Sequence, residues 1–287
     1  MNNYTKIHEL LRNYPQLCHA SNIIVKANGG LTLKEQEALS NIASQYIHYL
    51  QQILAIEEYD VLAISRKTEL LNEYYNYIHN NEYDKLFSSQ SKFRSTILEE
   101  FLFLLFKDLV QYYKSKFHDT DDVLASGSVK AYTNLYFKSK NLPDFISSPA
   151  IGINQKDQDF AIYRTFDISI NGEKPKKIQI PAVAIEAKTY IDKTMLDAII
   201  ATAEKLKSGN PHTRFVAVAE RYDVSFDVDP AYSRIDQIYI LRKSMRKNEW
   251  EDIDSQVVLR LFQETKKHLE RPWSDVETRL SEEGIII

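Results

Sequence analysis

Two short stretches of this 287-residue chain hold residue types able to do hydrolytic chemistry, Lys156-Asp157-Gln158-Asp159-Phe160 and Ile185-Glu186-Ala187-Lys188. Asp159 stands at the mouth of one apolar β run, and Glu186 lies 27 positions on, at the end of another. Side chains of a strand alternate faces, so Glu186 and Lys188 project to one side while Ala187 points away. Two carboxylates and a lysine then converge on one small volume. Hard divalent cations prefer oxygen, so Asp159 and Glu186, with the Ala187 carbonyl and waters, suit Mg²⁺ and would suit Zn²⁺ poorly. Such a cation lowers the pKa of a bound water and offsets charge building on a phosphate. Lys188 would orient or help deprotonate that water and meet the phosphate oxygens. Asp157 is the rival to Asp159, which is preferred because it immediately precedes the strand whereas Asp157 reads as loop. A Glu-x-Lys triplet is also what an exposed cross-strand ion pair looks like. Here Val183, Ala184 and Ile185 mark a buried strand, and charges at the end of a buried strand need a partner or a metal.

A third carboxylate comes from the helix expected over Leu98 to Tyr113. At about 100° per residue, Glu99 falls in the middle of the stripe of Leu102, Phe103, Phe106, Leu109 and Val110, while Glu100 lies with Lys107 and Gln111 on the polar side. Glu99 is thus expected to face inward, as a satisfied buried acid or as an accessory acid beside a metal. Other chemistries find less support. The seven histidines show no metal-ligand spacing and read as scattered surface or capping residues, and there is no Gly-rich phosphate loop. The one cysteine, Cys18, excludes an intramolecular disulfide and reads as a small core residue.

The elements that must position these groups fall into two textures. Residues 1 to about 117 read as helix after helix, with Thr32 and Glu35 forming a capping box. After about residue 118 the runs become β-rich. Phe160-Ala161-Ile162-Tyr163 and Phe166-Asp167-Ile168-Ser169-Ile170 lead into the turn dipeptide Asn171-Gly172, and the chain returns through Lys177 to Ile185. A helix capped by Thr194 follows, its stripe Leu196, Ile199, Ile200, Ala203 and Leu206, ended by Gly209-Asn210-Pro211. Phe215 to Ala219 and Ile238 to Leu241 give two more apolar runs. The expected fold is α/β, a hairpin feeding a mixed sheet flanked by helices, with a helical N-terminal region over 1–94 and a second domain over 95–287 that ends in a helical extension.

With 44% hydrophobic and 26% charged residues, the composition is that of a folded globular protein. No window spans a bilayer and no secretory signal opens the chain, so the expectation is no membrane and a cytoplasmic location. The net charge of -4 counts against a nucleic-acid partner, but net charge averages over the surface. Local basic clusters occur at Lys174, Lys176 and Lys177, at Lys138 and Lys140, and at Arg242, Lys243, Arg246 and Lys247. Arg242, Lys243 and Arg246 are the candidate DNA contacts.

The Asp…Glu-x-Lys arrangement across a hairpin resembles the PD-(D/E)XK nuclease core. Gln158 replaces the proline that usually precedes the first aspartate, and Pro143-Asp144 upstream matches less well because no strand follows it directly. Ile97-Leu98-Glu99-Glu100-Phe101, Lys156 to Phe160, Pro181 to Lys188, Met195-Leu196-Asp197 with Thr202 to Lys207, Ala217-Val218-Ala219-Glu220 and Ile235 to Arg242 together resemble subunits of BbvCI-type restriction endonucleases, over roughly residues 95 to 243. The resemblance implies a type II enzyme that cuts double-stranded DNA with Mg²⁺ at a seven-base-pair site related to CCTNAGC. It also implies a second subunit, in a heterodimer or a homodimer. The helical first third, outside the match, would clamp DNA or form the subunit interface. A structure-specific repair nuclease on the same core and a non-catalytic DNA-binding or dimerisation subunit are the alternatives.

Overall fold

The computed structural model describes residues 3–87, 92–119, 123–147, 150–169, 174–246, 249–271, 273 and 276–284. The expected turn at Asn171-Gly172, together with Ile170 and Lys247, lies outside the described residues.

Helices α1 (Asn3–Asn13), α2 (Cys18–Ala27), α3 (Leu33–Leu54), α4 (Val61–Asn80) and the short α5 (Tyr83–Leu86) form the N-terminal region. Thr32 and Glu35 start α3 with the expected reciprocal cap, and the Asp60 carboxylate caps α4 by accepting from Ala63 N at 2.8 Å. Helix α6 (Ser95–Lys116) follows. It is buried on two sides, because the N-terminal helices cover the side that sequence periodicity assigns to solvent. Glu100 is therefore only 1% exposed, against the expectation that it faces solvent, while Glu99 is half-buried. Glu100 is satisfied there, accepting from His19 N at 2.8 Å, Ala20 N at 3.1 Å and the Tyr46 hydroxyl at 2.7 Å. His19 is likewise buried rather than a surface residue, its ring bonded to Thr96 Oγ1 and the Tyr74 hydroxyl. Apolar packing runs without a break from Ile7 of α1 through Phe106 of α6 to Phe160 of the sheet, so one core crosses residue 94.

The sheet has five strands in the order β1 (Leu124–Lys138), β2 (Ala150–Ile168), β3 (Lys176–Asp192), β4 (Arg214–Asp223) and β5 (Gln237–Ile240). The first three run antiparallel to their neighbours, and β3, β4 and β5 are parallel. Strand β1 carries no clear apolar alternation and is absent from the sequence reading. Because β1 pairs with it, β2 begins at Ala150, ten residues before the apolar run at Phe160. Asp157 and Asp159 consequently both lie within β2, not in a loop and at a strand mouth.

Helix α7 (Leu142–Ser147) joins β1 to β2, and α8 (Lys193–Gly209) joins β3 to β4. The cap of α8 is Asp192, two residues before the expected Thr194, its Oδ1 accepting from Met195 N at 2.8 Å. At the far end of α8, a Cβ on Gly209 would stand 1.9 Å from the Thr133 carbonyl oxygen, so only glycine lets the helix lie this close to β1. One face of the sheet, with Phe160, Ile162, Val183, Ile185, Val216 and Val218, packs on α6 and on α9 (Ser255–Glu270), where the Phe106 ring lies between Phe160 and Phe262. The other face, with Ala184, Phe215, Ala217 and Ala219, packs on Leu196, Ile199, Ala203 and Leu206 of α8. These three layers make an α/β fold, as the sequence pattern implies. Among the described residues, no helix is long and apolar enough to cross a membrane.

Candidate active site

The site begins where the sheet forks. Strands β2 and β3 pair as far as Phe160 opposite Ile185, and one more step of that register would set Asp159 opposite Glu186. The ladder ends before that step. On the other edge of β2, Gly127 opposes Ala161 and Val129 opposes Gln158, so the single residue Ser128 faces both Asp159 and Phe160. This is a β-bulge, which bends a strand and re-aims its side chains. Strand β3 continues with β4 alone, through Glu186 beside Ala217 and Lys188 beside Ala219, leaving its β2-side edge without a strand partner.

The Asp159 carboxylate fills that gap. Its Oδ2 accepts the Ala187 N–H at 2.8 Å, the bond a paired strand would have made, and receives Lys188 Nζ at 3.3 Å. Lys188 Nζ also donates to Glu186 Oε1 at 2.6 Å. Within an extended strand a residue's N–H and C=O point to the same side, so the Ala187 carbonyl opens toward the same gap. The three side chains are partly buried, with exposures of 27% for Asp159, 17% for Glu186 and 28% for Lys188.

Electrostatics show strain in this cluster. Burial, followed by the charge of Asp159, holds the Glu186 carboxyl above the usual carboxylate range despite the neighbouring lysine. Glu99 is raised for the same two reasons, in the same order, with Ser95, Lys92 and Lys188 opposing, which places it within electrostatic reach of the cluster. Burial pulls the Lys188 ammonium down, but Asp159 and Glu186 outweigh it and hold Lys188 protonated above its ordinary value. Among the described residues, no group of three or more His, Cys, Asp or Glu side chains is gathered to hold a metal unaided.

Of the basic residues singled out by sequence, Arg242 corrects the expectation most sharply. It is buried, donates from Nε to Glu220 Oε2 at 2.9 Å, and stacks on Trp250 at 3.8 Å, so it serves the fold and presents no cation to a groove. Lys243 is exposed but paired with Asp254 at the cap of α9. Arg246 is half exposed and lies 3.8 Å over the ring of Tyr190, two residues beyond Lys188. Sequence reasoning missed Arg94, which bonds the same Glu220 oxygen at 2.9 Å. The signal was present, since Glu220 ends the apolar run Ala217-Val218-Ala219 just as Glu186 ends its own. Gln158, at the position of the usual proline, is buried, with Nε2 on the Asp157 carbonyl at 2.6 Å and Oε1 without a protein partner.

A helix-flanked mixed sheet of this kind is the architecture of a restriction-endonuclease fold. The chain superposes with a TM-score of 0.68 on a subunit of the solved structure described as the native BbvCI A2B2 tetramer at low resolution, at 23% identity, covering 90% of this chain and 98% of that one. Residues 90–260 match the family model of the Bpu10I restriction endonuclease, and the chain belongs to that family. It is thus a chain of a site-specific DNA-cutting enzyme. No curated protein sequence matches.

Proposed function

We propose that this chain is a subunit of a type II restriction endonuclease that hydrolyses phosphodiester bonds of double-stranded DNA with Mg²⁺, at a specific site related to CCTNAGC, in the cytoplasm. The observation that carries the reading is the fork itself, where a bulge and an ended ladder leave Asp159, Glu186 and the Ala187 carbonyl around one gap with Lys188 between the acids.

The donor set fits the ion. Two carboxylates and a main-chain carbonyl are hard oxygen ligands, and so small a protein share suits Mg²⁺, which keeps several of its waters. A Glu186 carboxyl whose proton affinity is raised by burial and then by the charge of Asp159 also gains from a divalent charge beside it. Bound there, Mg²⁺ would supply an activated water and charge stabilisation on the phosphate. Asp159 would hold its position through the Ala187 N–H, which orients the carboxylate without consuming its second oxygen. Lys188, held protonated by its two partners, would act first as a donor to the attacking water or to a phosphate oxygen; accepting a proton requires the acids to be neutralised beforehand. Glu99 would serve as the accessory acid at the gap's edge. The helical region over 1–94 would clamp DNA or meet a second subunit, beside the nuclease region over 95–287, and the A2B2 assembly of the BbvCI relative favours the subunit role.

The test is incubation of the purified chain with supercoiled plasmid, with and without Mg²⁺. Discrete linear fragments are expected of a self-sufficient homodimer, and nicks at fixed positions of one half of a heterodimer. Cutting that ignores sequence would transfer the site to a repair nuclease. Absence of Mg²⁺-dependent cutting, alone and with a cognate second subunit, would leave a non-catalytic DNA-binding chain.

A further inference from the structure

Beside the fork, a cavity of about 400 Å³ opens among Arg94, Thr189, Tyr190, Arg221, Arg246 and Trp250. We propose that it seats a DNA-backbone phosphate one or two positions along the strand from the one that is cut, with Arg246 as the contacting cation. This rests on the nuclease reading of the fork.

Position supports it. Tyr190 is two residues past Lys188, about 7 Å along an extended strand, and phosphates of one DNA strand follow at about 3.4 Å of axial rise. Charge supports it as well. The lining itself carries Arg94, Arg221 and Arg246 against one carboxylate, Asp84, while Arg242, Glu220, Asp223 and Glu251 surround it. Arg221 loses affinity for its proton, first through burial and then through Arg242 and Arg94, the mark of a positive local potential.

The geometry favours an anion over a base. Trp250 has the His79 ring parallel at 4.1 Å and the Arg242 guanidinium at 3.8 Å. Two groups that close to one ring centroid must occupy opposite faces, so the indole has no face left for stacking. Arg246 is instead held ready. Its N–H donates to the Tyr222 carbonyl at 3.0 Å, and Arg221 donates to the carbonyls of Arg246 and Glu249 at 3.0 and 2.6 Å, pinning the loop that carries it. Its guanidinium rests on Tyr190, and its pairing with Asp223 is loose at 3.8 Å, leaving donors for a phosphate.

The experiment measures binding of the full-length chain to a labelled duplex without divalent cation, as a function of salt, for wild type, Arg246→Ala and Arg246→Lys. Each phosphate contact contributes about 0.9 to the slope of log K against log[salt]. Arg246→Ala is expected to lower the slope by about that amount and to weaken every duplex sequence alike, while Arg246→Lys keeps the slope. An unchanged slope in Arg246→Ala, or weakening confined to one sequence, would overturn the assignment. So would inorganic phosphate that binds wild type but not Arg246→Ala, at constant ionic strength, without displacing DNA, since the cavity would then belong to free phosphate. Wild type that shows the expected slopes yet never cuts with Mg²⁺ would sink the nuclease reading and leave this site standing.

Discussion

Two neighbouring strands of the sheet each carry an acid where their apolar run stops, and the protein treats the two acids in opposite ways. Glu220, within β4, is fully buried against Arg94 and Arg242, each 2.9 Å from its Oε2, and its carboxyl is held below the usual range by those cations despite burial. Glu186, where the apolar run of β3 stops, shares Lys188 with Asp159 and sits above the usual range through burial and the charge of Asp159. Glu220 is bonded by two guanidinium groups; Glu186 is bonded by one ammonium, which it shares with Asp159, with Lys156 only a weaker, more distant influence. A fold that needs only a buried ion pair completes it, as at Glu220. In the proposed function, the weaker compensation at Glu186 is what a bound Mg²⁺ would make up.

Substitution should separate the two acids. Glu220→Ala strands Arg242 as a buried unpaired cation and is expected to cost about 3–5 kcal/mol of stability, read as a collapse of the thermal transition. Glu186→Ala relieves repulsion and should leave the transition unmoved or raised, as expected where activity rests on a strained site. Equal destabilisation of both variants would erase the distinction. At the fork, Lys188→Ala should slow Mg²⁺-dependent cutting by about 10²–10³-fold, the range for loss of one preorganised donor, with DNA binding retained. Loss of binding in proportion would make Lys188 an ordinary phosphate contact.

The raised Glu186 carboxyl also fixes a pH dependence. Below its elevated pKa the group is protonated and holds no cation, so cutting should fall on the acid side. More Mg²⁺ should move that limb to lower pH by competing with the proton. An acid limb indifferent to Mg²⁺ would dissociate the titration from metal binding.

How far these residues were legible in the sequence follows the physics. Glu186, Lys188 and the parallel strands after them were readable because buried strands declare themselves by apolar runs, and a charge at their end stands out. Strand β1 was not, because Gly127, Asn134 and its half-exposed residues break the alternation, and with it went the bulge that sets Asp159 inside β2. The burial of Glu100 has a different cause: helical periodicity identifies one buried stripe, whereas α6 is covered from both sides. Arg242 was misread because a run of basic residues carries no information about which guanidinium a buried glutamate will claim.

The Glu100 pocket gives a smaller, independent check on that two-sided burial. Burial raises its carboxyl to about 7 against the hydrogen bonds it accepts. A carboxyl raised on folding contributes stability present below the ordinary value of about 4.5 and lost as pH rises through about 7. Wild type should therefore lose stability between about pH 5 and 7, by at most about 1.4 kcal/mol per unit, and Glu100→Gln should not show that fall. Thermal melts across this range compare the two, and parallel curves would mean that Glu100 is more solvated than its place under α2 and α3 implies.

The most direct measurement is plasmid cutting in Mg²⁺ by wild type and Glu186→Ala, alone and with a cognate second subunit, at protein concentrations that saturate DNA binding for both. The expected result is nicked or linear product from wild type and none from the variant, with equal DNA binding and equal thermal stability. Cutting by Glu186→Ala at the wild-type rate would contradict the placement of the catalytic centre at the fork of β2 and β3.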